Sequence, residues 1–352
     1  MKRGLVVYDP QDYGESELAN RIRCLQESLR RNQVDVALVY GDVYHSGDIS
    51  YLSNICIYWN EGILAIPHSG EPAFLTKLSR RVHPWMRKTS ILSDMRSGPN
   101  LEDLVTDFLK QIGSSGVVGL VEMEWWPGTL VDNMKLQSSN WQFKNLGPLV
   151  RNWRKQPSQA ELRLLKRGAE ITTAAINEGL HPSLSNPQRV GNAERVARMA
   201  GVEDIYVFCR EINSEANCIE VLTEFRGYWT GAARVIDSGV PPTWMTLMEQ
   251  AYDLAAKSLG QGVGVETLNK VVSSIFGHHA IWHVDLIHHT DIETRGDYRL
   301  AGETDERLEN GAVVLLRLEL HVDTNSCAVL ADTYQILGER AQCLTNTVPM
   351  TM

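Results

Sequence analysis

The apolar positions of the chain fall into two periods. Leu18, Ile22, Leu25 and Leu29 recur at spacings of four, three and four, which places them on one face of a helix. Val34-Asp35-Val36-Ala37-Leu38-Val39-Tyr40 follows as a nearly continuous apolar run, the pattern of a strand buried on both faces. Further strands are predicted over Gly62–Pro67, Ala73–Thr76 and Val117–Val121. Leu101, Leu104, Val105, Phe108, Leu109 and Ile112 describe a second amphipathic helix between them. Alternation of helix and strand predicts an α/β first domain, residues 1–150.

A new pattern begins after Pro157. Ser158-Gln159-Ala160-Glu161 reads as a capping box, in which Ser158 and Glu161 satisfy orphan helix N–H groups. Leu162, Leu165, Ala169, Thr172 and Ile176 then continue as a long amphipathic helix. Val202–Cys209, Ile219–Phe225 and Trp229–Ile236 read as strands, the last two joined by a turn at Gly227-Tyr228. A helix is predicted from Thr243 to Leu259. The run Ala312–Leu320 reads as a strand that puts positions 317, 319 and 321 on one face of a sheet. The second domain, residues 151–352, is thus expected to be α+β.

Composition narrows the function classes. The 352 residues suit two domains, each large enough for its own core. A net charge of −9 argues against a broad nucleic-acid surface, which needs surplus Lys and Arg. The short basic run Arg151–Lys155 reads as a solvated linker. Six scattered cysteines without a Cys-x-x-Cys pair suit reduced thiols in a cytoplasm. Neither a signal peptide nor a membrane span is expected. A small-molecule ligand fits these constraints better than a nucleic acid or a membrane.

Chemistry concentrates near residue 283. Five of the ten histidines lie between Gly277 and His289, and His321 follows close to Arg317 and Glu319. Imidazole titrates near neutrality, so His283 is the leading candidate for proton transfer, against the reading of a core histidine bonded to a carbonyl. If residues 284–289 form a strand, His288 and His289 face opposite ways, and parity with Trp282 favours His288 for the pocket. His278 and His279 carry less weight. Arg317 in a sheet is costly unless paired. It reads either as a clamp for a substrate carboxylate or as a salt bridge to Glu220 or Glu319. Glu220 and Glu319 are candidate acids, bases or ammonium partners. Cys209 reads as a packed thiol more readily than as a nucleophile.

These landmarks resemble the creatinase, prolidase and aminopeptidase P superfamily, and the resemblance spans almost the whole chain. Asp48-Ile49-Ser50-Tyr51-Leu52-Ser53-Asn54 is similar to the creatinase N-terminal domain. Lys155–Glu161, Phe225–Arg234, Leu308–Val314, Ala331-Asp332-Thr333 and Leu344-Thr345 resemble successive landmarks of the pita-bread domain. The resemblance implies a creatinase-like α/β domain, then a pita-bread domain, in a homodimer. Peptidases of this family hold two metal ions with two Asp, one His and two Glu. Those positions fall here on Glu220, Gly231, His283, Arg317 and Ala331. Gly and Ala offer no ligand and Arg317 adds positive charge, so the dinuclear centre is expected to be absent, with no cofactor in its place. Creatinase is the family's precedent for catalysis without metal, but its catalytic histidine has no counterpart in Ile212–Ile219. The resemblance adds Tyr228 and Arg234 of the hairpin, and Tyr58 and Trp59, which match the part of the first domain that leans over a neighbouring subunit's pocket and would cage a small cation there.

The sequence thus predicts a metal-independent enzyme cleaving a C–N bond, or doing related proton transfer, in a small amino-acid-like or amidino/guanidino substrate. His283 would move the proton, with Glu220, Glu319 and His288 as further catalytic candidates. Arg317, Tyr228, Arg234, His321, Tyr58 and Trp59 would bind substrate. Three alternatives stay open: a non-catalytic binding homologue, a lyase, cyclase or isomerase, and a metallopeptidase with one metal held by His283, His288, Glu319 and His321.

Overall fold

A computed structural model describes residues 9–12, 14–57, 59–213, 216–237, 241–277, 280–292, 306–324 and 326–345. The chain divides into two compact units between Arg154 and Lys155.

The first unit is built on a six-stranded mixed sheet. Its strands are β1 (Val36–Gly41), β2 (Gly62–Pro67), β3 (Ala73–Thr76), β4 (Asp94–Ser97), β5 (Gly116–Val121) and β6 (Trp141–Asn145), in the order β4-β3-β2-β1-β5-β6. The short, polar β4 and β6 carry no apolar run and are not legible as strands in the sequence. Central β1 shows why this sheet needs cover on both sides. Val36 and Leu38 pack with Phe108 and Leu109 of the helix Leu101–Ile112, while Ala37 and Val39 pack with Leu25 and Leu29 of the helix Glu15–Arg31. Period-two alternation of apolar residues on both faces is the physical meaning of the continuous run.

The second unit opens with the capping box. Ser158 Oγ accepts from the Glu161 N–H, and Glu161 Oε2 accepts from the Ser158 N–H at 2.8 Å, which starts the helix Gln159–Gly179. The sheet that follows comprises β7 (Asp204–Asn213), β8 (Ala216–Phe225), β9 (Tyr228–Asp237), β10 (Trp282–His288), β11 (Val313–His321), β12 (Cys327–Leu337) and β13 (Arg340–Cys343). The order is β10-β11-β12-β9-β8-β7, with β13 added to β12. The β8–β9 turn sits one residue earlier than expected, at Arg226-Gly227. Both residues have positive φ, 56° and 81°, as a two-residue hairpin turn of matching twist requires.

One face of this sheet is covered by helices. Ile219, Val221, Ala232 and Ile236 pack with Ile171, Ala175 and Ile176 of the helix Gln159–Gly179 and with Ala193 and Ala197 of the helix Asn186–Met199. Val284, Leu286, Leu316 and Leu318 share a second cluster with Met248 and Ala251 of the helix Thr243–Lys257 and with Leu268 and Val272 of the helix Val265–Phe276. Leu316 and Leu318 therefore face the helices, and Arg317 and Glu319 between them face the other way.

Candidate active site

The face turned away from the helices carries the chemistry. Reading across the ladder, Asp285, Arg317, Ala331, Ala233, Glu220 and Phe208 stand opposite one another in turn on β10, β11, β12, β9, β8 and β7. Directly paired residues share a face. Arg317 and Glu220 are three ladder steps apart, about 14 Å in a flat sheet, yet Arg317 Nε donates to Glu220 Oε1 at 2.8 Å. The sheet therefore curls toward this face, and the two intervening alanines leave room for the guanidinium.

Arg317 is the hub. Its Nη2 donates to Glu319 Oε2 at 2.9 Å, and its Nη1 lies 3.7 Å from Asp285 Oδ2. All four groups are buried. Burial works against the guanidinium charge, but Glu220 and Glu319 outweigh it and hold Arg317 charged beyond its ordinary range. The chain continues outward. His321 Nε2 lies 3.4 Å from Glu319 Oε1, and the His283 and His321 rings meet edge to face at 5.9 Å between centroids. His283 is exposed and pairs with Glu319 in the ladder. On the opposite flank Arg210 Nη2 lies 3.7 Å from Glu220 Oε2. Of the residues singled out in the sequence, this face brings together Glu220, His283, Arg317, Glu319 and His321. It adds Asp285 and Arg210, which sequence reasoning missed. The parity of Asp285 with His283 was the available signal for the first.

Other candidates lie elsewhere. His288 is buried on the helix-covered face, at the opposite parity to His283, and its Nε2 is 3.9 Å from Glu306 Oε1. Burial, then the nearby Lys155 charge, lowers its pKa. The expectation that His288 faces the pocket is corrected: strand parity with Trp282 selects the helix side. The same parity removes His288 from a shared mononuclear site with His283, Glu319 and His321. His289 follows the strand and lies beside the Tyr228 ring at 6.0 Å. The Tyr228 hydroxyl donates to Glu161 Oε1 at 2.9 Å, joining the hairpin to the capping box. Arg234 is also on the helix side, where its guanidinium donates to Asp332 Oδ1 at 2.7 Å and to the Ala331 carbonyl at 2.9 Å. Cys209 donates to Asn186 Oδ1, and burial raises its thiol pKa, the opposite of an activated nucleophile. Within the first unit, Trp59 is half-exposed, stacks on Trp85 at 6.4 Å, and with it lines a pocket beside Phe74 and Met86. Tyr58, His278 and His279 lie outside the described residues.

The five positions that the resemblance assigns to metal ligands do not suit a pair of dications. At Gly231 a Cβ would lie 2.4 Å from Leu222 Cδ2 and 3.2 Å from Leu315 Cδ1, so a side chain there would have to push these leucine ends aside. Arg317 holds a cation of its own among the remaining carboxylates, and Ala331 offers no donor. A second set of charges would have to displace the guanidinium from buried hydrogen bonds.

Comparisons with known proteins agree with the architecture. No family model matches the sequence, and no curated protein matches it. Solved structures do match. The prolidase of Pyrococcus horikoshii superposes with a TM-score of 0.74 over 95% of this chain and 100% of its own, at 15% identity. The chain shares its fold, an N-terminal α/β domain followed by a pita-bread domain, with this prolidase structure. The X-Pro aminopeptidase of Thermotoga maritima gives 0.79 over 94% of this chain and 98% of its own, at 14% identity. The Xaa-Pro dipeptidase of Bacillus anthracis gives 0.75 over the same shares at 17% identity. At such identities the fold is shared and the chemistry must be read from the site.

Proposed function

We propose that this protein is a metal-independent enzyme of the pita-bread fold that cleaves a C–N bond in a small amino-acid-like or amidino/guanidino substrate. The observation that carries the reading is the Arg317 guanidinium, bound by Glu220 and Glu319 at the centre of the curled face, with His283 and His321 beside it. Held by these carboxylates, the guanidinium fixes Glu319 in place beside the two histidines. Glu319 steadies His321, and His283 stands exposed next to it. In the proposed step His283 takes a proton from the attacking water and returns it to the departing nitrogen. The carboxylates outnumber the guanidiniums on this face, which suits a substrate with a cationic nitrogen.

The test is to incubate protein dialysed against chelator with a panel of amino-acid amides and amidino or guanidino acids, and follow amine, ammonia or urea release by NMR. Release that disappears in His283→Ala supports the reading. No release from any member, by a protein that still binds one of them, would sink it in favour of a binding homologue. That second reading has its own support, because every nitrogen of Arg317 is already directed at a carboxylate of the chain itself. A homodimer with no nucleic-acid or membrane partner completes the proposal; among the described residues no helix is long and apolar enough to cross a membrane. Light scattering should give about twice the chain mass, and a monomer at micromolar concentration would remove Tyr58 and Trp59 as contributors to a partner's site.

A further inference from the structure

The curled face holds two guanidiniums in different states. Arg317 is committed within the protein: Nε and Nη2 donate to Glu220 and Glu319 at 2.8 and 2.9 Å, and Nη1 faces Asp285 at 3.7 Å. Arg210, on β7, is not. Its side chain is 38% exposed, and its one carboxylate neighbour among the described residues is Glu220, at 3.7 Å, beyond hydrogen-bond length. Its Nη1 also lies 4.0 Å from the Cys327 Sγ. Burial, then the Glu319 charge, raises the Cys327 pKa, so that neighbour is a neutral thiol that does not compensate the guanidinium. Cys327 pairs with His321 in the β11–β12 ladder. Arg210 therefore lies at the histidine end of the curled face.

We propose that Arg210, and not Arg317, binds the carboxylate of the substrate. The inference rests on the small-molecule reading above and names the residue that would select for an acid. A planar fork with donors to spare matches a carboxylate in a two-bond pairing. The exposed ring of Phe208 lies beside it, with the Arg210 guanidinium carbon 5.8 Å from the ring centroid, and offers an apolar wall to the part of the substrate next to the acid. Charge settles the orientation. Glu220, Glu319 and Asp285 face Arg317 and Arg210, three carboxylates against two guanidiniums. Arg210 has Glu220 as its carboxylate neighbour, whereas Glu319 and Asp285 are the neighbours of Arg317. An amino-acid-like zwitterion would place its acid on Arg210 and its cationic end toward Glu319 and His283.

The experiment compares 4-aminobutanoate and 6-aminohexanoate with their primary amides, by NMR titration of the full-length protein. Each amide keeps the cation and the length and loses only the carboxylate charge. Wild type should bind at least one acid about tenfold more tightly than its amide, the scale of one charge-assisted hydrogen bond. Arg210→Met should bring acid and amide within about twofold of each other, and Arg210→Lys should keep an intermediate preference, because a point charge lacks the fork. A merely structural role for Arg210 would weaken both ligands together and leave their ratio alone. Wild type that shows no preference for either acid, or an Arg210→Met variant that keeps the preference, overturns the proposal. Acid-selective binding without turnover of any substrate would sink the catalytic reading and leave this assignment standing.

Discussion

Arg317 on β11 and Glu220 on β8 are separated by two whole strands, yet the Arg317 Nε–H donates to Glu220 Oε1 at 2.8 Å. The contact is made possible by Ala331 and Ala233, whose small side chains stand between them. It is also costly to break. Arg317→Met would leave three buried carboxylates facing one another, and should destabilise the second unit by about 3–5 kcal/mol. Combining it with Glu220→Gln should recover part of that loss, because a neutral amide no longer needs the cation. Urea unfolding of the single and double variants measures both; an Arg317→Met protein as stable as wild type would show that the hub carries no structural load.

His283 is exposed and shares no hydrogen bond with the Arg317 network, so its removal should leave the fold intact. His283→Ala is expected to lower turnover by roughly 10²–10⁴ with little change in substrate affinity. Steady-state kinetics on the substrate found in the panel decides the matter. Full activity in a folded variant would move the proton-transfer role to the His321–Glu319 pair, 3.4 Å apart.

The packing at Gly231 bears on metal. With Leu222 and Leu315 filling the space of a side chain there, and Arg317 in place of a ligand, purified protein should contain well under one equivalent of Mn, Co, Zn or Fe. Activity should survive chelator. Stoichiometric metal, together with activity lost to chelator and restored by metal, would refute metal independence.

A second buried carboxylate sets a pH dependence of stability. Burial first, and then the charge of Glu224, pushes Glu203 from its ordinary value of 4.5 up to about 8, against the opposing pull of Arg226. The folded protein thus holds this proton more tightly than the unfolded chain does. The associated stability is fully present below about pH 4.5 and is lost as pH rises through about 8. Glu203→Gln, neutral throughout, should show a shallower fall in its urea midpoint between pH 5 and 8. Parallel curves for variant and wild type would count against this.

Periodicity alone determined the elements that bury apolar surface. The runs at Val34–Tyr40 and Ala312–Leu320, the helix Leu101–Ile112 and the capping box at Ser158 are each set by neighbours a few residues away, and each stands where the sequence places it. Period two also fixed that Arg317, Glu319 and His321 share a face. Strands β4 and β6 escaped notice because they borrow their stability from the strands beside them and carry no pattern of their own. The site was legible only in part for a related reason. Glu220 is 97 residues from Arg317, and Arg210 lies 117 residues from Cys327. Only the curl of the sheet over two alanines brings the first pair together, and only the ladder order brings the second within reach. The same three-dimensional fact decides that Arg317 donates hydrogen bonds to Glu220 and Glu319 while Arg210 stands 3.7 Å from its carboxylate neighbour. Sequence spacing cannot report that distinction, because it depends on the side chains that surround each guanidinium in the folded sheet.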